Sequence, residues 1–134
     1  MGRINSSTRL ALLCYKYRLD MSSLFLFSLL LIQHFSILQN VDAFKVTMQS
    51  GYVIVDVRTP EEFANGALPK AVNISVNSLD FPFEINKLDK EKPVMIYCKA
   101  GSRSARAAVT MKALGFDTIY ELEGGYTAWQ VAKN

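Results

Sequence analysis

Short apolar runs separated by turn residues divide the chain, from about residue 41 onward, into alternating predicted strands and helices. The continuous apolar run Tyr52–Val57 is typical of a central parallel strand that is covered on both faces. Three further runs predict strands over Ala71–Ile74, Val94–Tyr97 and Thr118–Leu122. An earlier apolar patch, Phe35–Leu38, is typical of a buried first strand or helix.

Helix signals lie between these runs. Thr59 is predicted to cap a helix that has Pro60 at its first position and acidic residues in its first turn. The longest predicted helix, Ser102–Leu114, is rich in alanine and ends at Gly115. The remaining predicted helices are Val41–Gln49, part of Ser78–Leu88, and Tyr126–Lys133. Strands and helices that alternate in this way predict an α/β fold with a parallel sheet.

An uncharged and almost entirely apolar segment, Met21–Ile32, precedes the predicted domain. It is shorter than the roughly 20 residues that a membrane-spanning helix needs, so it suits the apolar core of a signal peptide. A basic stretch precedes it, and Val41-Asp42-Ala43 has small residues at the spacing that signal peptidase prefers. We therefore expect a basic and hydrophobic leader over residues 1–35, and a protein that is exported (periplasmic or extracytoplasmic) or membrane-anchored.

Two alternatives for this leader stay open. The leader can be an uncleaved anchor that associates with a membrane through residues 22–38 and holds the domain on the outer side. Met21 can also be the true start, in which case the basic segment is an upstream artefact and the protein is cytoplasmic.

Composition and charge narrow the classes of protein that fit. The 134 residues allow one domain, and with half of them apolar and a fifth charged they exclude a disordered chain. Residues 1–20 carry the whole net charge of +3, so the rest has no basic stripe and no nucleic-acid partner is expected. With a single histidine and with Cys14 and Cys98 far apart, a structural zinc site and a disulfide framework are excluded. No cofactor or metal is expected, and no oligomeric state is predicted.

The strongest candidate for chemistry lies where the strand Val94–Tyr97 gives way to the long helix. This loop reads Cys98-Lys99-Ala100-Gly101-Ser102-Arg103-Ser104. Because α/β folds bind ligands at the carboxyl ends of parallel strands, its successive backbone N–H groups are placed to bind an anion. These N–H groups, the helix dipole and the cations Lys99 and Arg103 should lower the pKa of Cys98 and make it a nucleophilic thiolate. The alternative is a buried, inert cysteine, which explains neither Gly101 nor the two cations.

Three further motifs accompany this loop in order. They are Asp56-Val57-Arg58 with Glu61-Glu62-Phe63, then Ala71-Val72-Asn73-Ile74, and finally Leu122-Glu123-Gly124-Gly125-Tyr126 with Trp129. With these motifs at matching spacing, residues 36–134 resemble a single rhodanese (thiosulfate sulfurtransferase) domain. The resemblance implies a five-stranded parallel sheet flanked by helices on both faces.

The resemblance also implies an activity and its residues. Cys98 would be the catalytic residue of a sulfurtransferase: it would take sulfane sulfur from a small anionic donor such as thiosulfate and hold it as a persulfide. The acceptor would be cyanide or a thiol. The donor-binding loop would comprise Lys99, Ala100, Gly101, Ser102, Arg103 and Ser104. Asp56 and Arg58 would be structural supports, with Arg58 paired to an acid such as Glu61 or Glu62.

Two departures from the family pattern matter. Residues 66–71 read Gly66-Ala67-Leu68-Pro69-Lys70-Ala71 where the family often has Gly-His-Ile-Pro-Gly-Ala, so a histidine and a glycine are replaced. In addition, cleavage after Ala43 would delete the first strand expected near Phe35–Leu38.

Competing functions also stay open. A cysteine phosphatase or arsenate reductase uses a similar cradle, but phosphatase loops have five residues between cysteine and arginine, whereas only four separate Cys98 from Arg103. A noncatalytic rhodanese-like binding or sulfur-carrier module is the alternative from another class, although such modules typically lose the cysteine. A dithiol redox role is excluded because Cys98 has no resolving cysteine in the domain.

Overall fold

Five short strands pair into one parallel sheet in the computed structural model, which describes residues 36–133. The strands are β1 (Ile37–Gln39), β2 (Val53–Asp56), β3 (Ala71–Asn73), β4 (Val94–Tyr97) and β5 (Ile119–Leu122). Their order in the sheet is β1-β5-β4-β2-β3, and all four pairings are parallel. The predicted fold class is therefore confirmed. The leader predicted over residues 1–35, with Cys14, lies outside the described residues.

Five helices accompany these strands in the described part of the chain. They are α1 (Val41–Met48), α2 (Pro60–Ala64), α3 (Phe81–Ile85), α4 (Ser102–Ala113) and α5 (Gly125–Val131). Between residues 36 and 133, none of them is long and apolar enough to cross a membrane. The helix predicted within Ser78–Leu88 is confined to the five residues of α3, with Pro82 in its first turn.

The side chains of the sheet alternate between two separate cores. On one face Val55, Ile96 and Cys98 pack against helices α3 and α4. On the other face Ile54, Met95 and Leu122 pack with Phe44 of α1 and partly buried Trp129 of α5. Strands β2 and β4 lie in the centre and are buried along almost their whole length, as the continuous apolar runs predict.

The first strand and first helix are integral to this arrangement. Strand β1 pairs with β5, and the backbone N–H of Glu123 donates to the carbonyl of Gln39 at 2.8 Å. Asn40 caps α1 through a hydrogen bond from the Ala43 N–H at 2.9 Å, and Phe44 is fully buried. The candidate cleavage site Val41-Asp42-Ala43 therefore lies in the first turn of α1, and a cut there would remove β1 and the helix cap together.

Candidate active site

Cys98 directly follows β4, at the sheet edge where the carboxyl ends of all five parallel strands meet. Its side chain joins the core on the α4 face, and the residue is 1% exposed. The chain turns at Gly101, whose φ of 112° lies in a region that favours glycine, and then enters α4 at Ser102. The sulfur therefore lies at the floor of the loop, in front of the amino end of a twelve-residue helix.

Backbone N–H groups of the loop surround the sulfur. The Gly101 N–H donates to Cys98 Sγ at 3.1 Å. Burial is the largest single influence on the thiol and raises its pKa, but hydrogen bonds from the Ser104 N–H, the Gly101 N–H, the Ser104 hydroxyl and the Ala100 N–H together outweigh it. The pKa of Cys98 is lowered as a result, which agrees with the thiolate expected from the sequence.

The hydroxyl of Ser104 has one proton and two acceptors within reach. It donates to the Gly101 carbonyl oxygen at 2.8 Å, and it also contributes to lowering the pKa of Cys98. Because a hydroxyl can rotate, its single proton can be directed at either acceptor. Ser104 is fully buried, so this hydroxyl belongs to the cradle and not to the surface.

Arg103 is held by a carboxylate on a different element. Its two terminal nitrogens donate to the two carboxylate oxygens of Glu62, at 2.6 and 2.8 Å. Glu62 itself lies in the first turn of α2, where it closes the capping box with Thr59. Lys99, the other cation of the loop, is exposed and forms no ion pair within residues 36–133. Glu62 was expected only as a possible partner of Arg58. Its pairing with Arg103 has no local sequence signal, because these two residues are 41 positions apart.

Asp56 and Arg58 form a second, fully buried ion pair beside the loop. Both carboxylate oxygens of Asp56 accept from the Arg58 guanidinium, the shortest contact being 2.6 Å. The guanidinium also donates to the Gly66 carbonyl at 2.7 Å and lies 4.1 Å from the ring centroid of Tyr126. The expectation that Arg58 pairs with Glu61 or Glu62 is wrong. Its partner is Asp56, the last residue of β2 and only two positions before Arg58. Glu62 pairs with Arg103 instead.

Helix α5 donates hydrogen bonds to the backbone carbonyls of the cysteine loop. The Tyr126 N–H donates to the carbonyl of Cys98 at 2.8 Å, and the N–H and hydroxyl of Thr127 both donate to the carbonyl of Lys99 at 3.0 Å. Gly125 lies so close that a Cβ there would come within 2.5 Å of the Cys98 carbonyl oxygen. The motif Leu122–Tyr126 gives no local signal for this contact with the loop.

The departure at residues 66–71 has a local consequence. Lys70 adopts a φ of 61°, a left-handed conformation that the glycine frequent in the family adopts without strain. Ala67, which replaces the frequent histidine, lines a groove of about 350 Å³ together with Tyr126 and Trp129. No group of three or more histidine, cysteine, aspartate or glutamate side chains that could hold a metal ion occurs in the part of the chain that the structure describes.

The sequence and fold of this chain resemble those of known proteins. The family described as Rhodanese-like domain matches residues 40–132. A sulfurtransferase of Allochromatium vinosum is 34% identical over 77 residues, which cover 58% of this chain and 70% of that protein. The thiosulfate sulfurtransferase GlpE of Pseudomonas syringae pv. syringae is 34% identical over 83 residues, which cover 61% and 76%. Among solved structures, a rhodanese-like domain protein from Staphylococcus aureus superimposes with a TM-score of 0.62 and 33% identity, over 69% of this chain and 90% of that one.

Proposed function

The chain belongs to the rhodanese-like domain family, and we propose that it moves sulfane sulfur from a small anionic donor such as thiosulfate to cyanide or a thiol through a persulfide on Cys98. Its similarity to proteins named sulfurtransferase supports a sulfur-transferring activity in general. The single observation that carries the finer proposal is the ring of N–H donors around a buried thiol whose pKa is lowered.

The first half of the reaction loads the cysteine. The Cys98 thiolate attacks the outer, sulfane sulfur of thiosulfate, and a new S–S bond forms while the S–S bond of thiosulfate breaks. The electron pair of the broken bond leaves with sulfite, so atoms and charge balance without a redox cofactor. The N–H groups of Ala100, Gly101 and Ser104, which favour the thiolate, remain in place to stabilise negative charge on the outer sulfur of the persulfide.

The second half of the reaction transfers the outer sulfur from Cys98 to the acceptor. Cyanide, or the thiolate of an acceptor, attacks the outer sulfur of the Cys98 persulfide and the S–S bond breaks. The electron pair returns to Cys98, which becomes the thiolate again, and the product is thiocyanate or an acceptor persulfide. The same cradle therefore stabilises the leaving thiolate in this step and the attacking thiolate in the first.

The length of the loop argues against phosphatase chemistry. Only four residues separate Cys98 from Arg103, which suits a sulfur atom better than a tetrahedral phosphate.

The proposal is tested by assaying thiocyanate formation from thiosulfate and cyanide, with p-nitrophenyl phosphate hydrolysis measured in parallel. Cys98→Ser should abolish thiocyanate formation while the fold is kept, because the change is nearly isosteric and serine is a poor nucleophile at its high pKa. Cys14→Ser is the matched control and should retain the activity. Hydrolysis of the phosphate ester without sulfur transfer would refute the proposal, as would undiminished thiocyanate formation by the Cys98→Ser variant.

A further inference from the structure

Arg103 and Glu62 bring opposite charges together at the mouth of the cysteine loop. The ion pair is bidentate, and its two side chains are 22% and 29% exposed. The carboxylate is fixed from behind as well, because its Oε2 accepts from the Thr59 N–H at 3.1 Å and the Glu62 N–H donates to the Thr59 hydroxyl at 3.3 Å. The capping box of α2 thus holds Glu62 in place against the loop.

The charge of this pair is present throughout the neutral pH range. The hydrogen bond from Arg103 holds the pKa of Glu62 well below its usual range, at about 2, so the carboxylate is ionised wherever Cys98 is reactive. Glu62 is the main cause of the raised pKa of Arg103, and the Cys98 thiolate adds to the rise. Arg103 lies in the first turn of α4, the helix that begins directly after the cysteine loop, so that its charge acts close to the sulfur.

Two cations in the loop would favour anionic donors, but one of them is neutralised. Glu62 offsets the charge of Arg103, whereas Lys99 is exposed and has no carboxylate partner within residues 36–133. An anion approaching Cys98 consequently meets the backbone N–H groups and a reduced net charge at Arg103. The site should therefore discriminate less against uncharged sulfur donors than it would if Arg103 were unpaired.

We propose that Glu62 is a specificity-determining residue, which masks the charge of Arg103 and so sets how strongly the site prefers anionic over neutral donors. This inference rests on the proposed function for its meaning in the reaction, but the electrostatic effect on Cys98 can be measured without any sulfur transfer. It assigns Arg103 to the selectivity of the site through its ion pair with Glu62.

The test compares two alkylating reagents of similar size, anionic iodoacetate and neutral iodoacetamide, on the full chain carrying Cys14→Ser so that Cys98 is the only thiol. The measured quantity is the ratio of their second-order rate constants, taken at a pH where Cys98 is fully ionised in every variant. Glu62→Gln should raise the iodoacetate-to-iodoacetamide ratio by on the order of threefold, the size expected of one unit charge in partly solvated surroundings. Glutamine can still close the capping box, so α2 is retained.

Arg103→Gln provides the opposing variant. It breaks the same ion pair but leaves Glu62 negative, so the ratio should fall below that of the unsubstituted chain. Glu61→Gln, a neighbour on the same helix that forms no ion pair in the described residues, is the matched control and should leave the ratio unchanged. Added salt should shrink all differences.

Opposite shifts in the two variants support the inference. If Glu62→Gln and Arg103→Gln instead move the ratio in the same direction, or change both rate constants alike with the ratio constant, Glu62 only braces the loop and the inference is wrong. A chain that shows the opposite shifts but forms no thiocyanate would refute the proposed function and leave the electrostatic role of Glu62 standing.

Discussion

Hydrogen bonds within the loop are the main cause of the lowered pKa of Cys98. Burial in the α4-side core opposes the thiolate, and the donors of Ala100, Gly101 and Ser104 overcome that cost. The sequence predicted that Lys99 and Arg103 would add to the effect, but Arg103 is bound to Glu62. The geometry of the loop is therefore more important for the reactivity of the sulfur than its formal charge.

The lowered pKa predicts the pH dependence of alkylation at Cys98. The rate follows the thiolate fraction, so it should rise with pH and level off with a midpoint below the value of about 8.5 for a free cysteine. The measurement is a pH profile of iodoacetamide labelling on the full chain, with the Cys98 peptide identified by mass spectrometry. A midpoint at or above the free-cysteine value would show that burial prevails and that Cys98 is inert.

The control for this prediction is Ser104→Ala. This variant removes the hydroxyl but keeps the Ser104 N–H, so its midpoint should lie above that of the unsubstituted chain and still below that of a free cysteine. An unchanged midpoint would mean that the hydroxyl donates to the Gly101 carbonyl alone.

At the scale of elements, helix α5 holds the cysteine loop in shape. Its first residues donate to the Cys98 and Lys99 carbonyls, and Gly125 allows the helix to approach them closely. With those carbonyls held on one side, the N–H groups of the loop are free to face the sulfur on the other. The positioning of the nucleophile therefore depends on an element that follows it by more than twenty residues in the chain.

Gly125→Ala should disturb both the fold and the site. A Cβ would come within 2.5 Å of the Cys98 carbonyl oxygen, and the φ of 58° adds the backbone cost of a left-handed alanine. We expect a loss of roughly 1–3 kcal/mol in the free energy of unfolding and at least a tenfold lower kcat for sulfur transfer. Denaturant unfolding and the thiocyanate assay measure the two effects.

Gly51→Ala separates the backbone cost of a positive φ from the steric contact with the cysteine loop. Gly51 has a similar φ of 72°, but a Cβ there meets no atom within 4 Å. It should therefore lose stability through the backbone alone and keep its kcat. Equal kcat values for the two alanine variants would show that the contact between α5 and the loop is unimportant for catalysis.

The elements that the sequence predicts well are those whose signals are local. The apolar run Val94–Tyr97 coincides with β4, and Thr59, Pro60 and Glu62 start α2 as their residue types predict. The pairing of Glu62 with Arg103 was not predicted, because it depends on how α2 packs against the cysteine loop and not on any local spacing. The partner of Arg58 was mistaken because the family resemblance implied Glu61 or Glu62, whereas Arg58 pairs with Asp56 at the end of β2.

The folded domain begins before the candidate cleavage site, because β1 already belongs to its sheet. Strand β1 completes the sheet beside β5, with the Ser36 hydroxyl donating to the carboxylate of nearly buried Glu121. A chain cut after Ala43 would lose this strand and the Asn40 cap and would expose an edge of β5. A leader, if it is removed, should therefore be cut before Ser36.

A comparison of two shortened chains tests this inference. A chain starting at Ser36 should unfold with nearly the free energy of the full chain, whereas one starting at Phe44 should lose at least about 2 kcal/mol because a cap and a strand are gone. N-terminal sequencing of the mature protein from its own cell gives the complementary result. A stable, active protein that begins at Phe44 would contradict the role given to β1.

A persulfide on Cys98 is detected directly by the mass of the protein after it has met its donor. The full chain is incubated with thiosulfate, digested without reducing agent and analysed by mass spectrometry. The peptide that contains Cys98 should gain the mass of one sulfur atom, and cyanide should remove that sulfur and release thiocyanate. The Cys98→Ser chain should gain nothing. No added sulfur on Cys98, or the same gain in the Cys98→Ser chain, would contradict a persulfide on Cys98 as the intermediate of transfer.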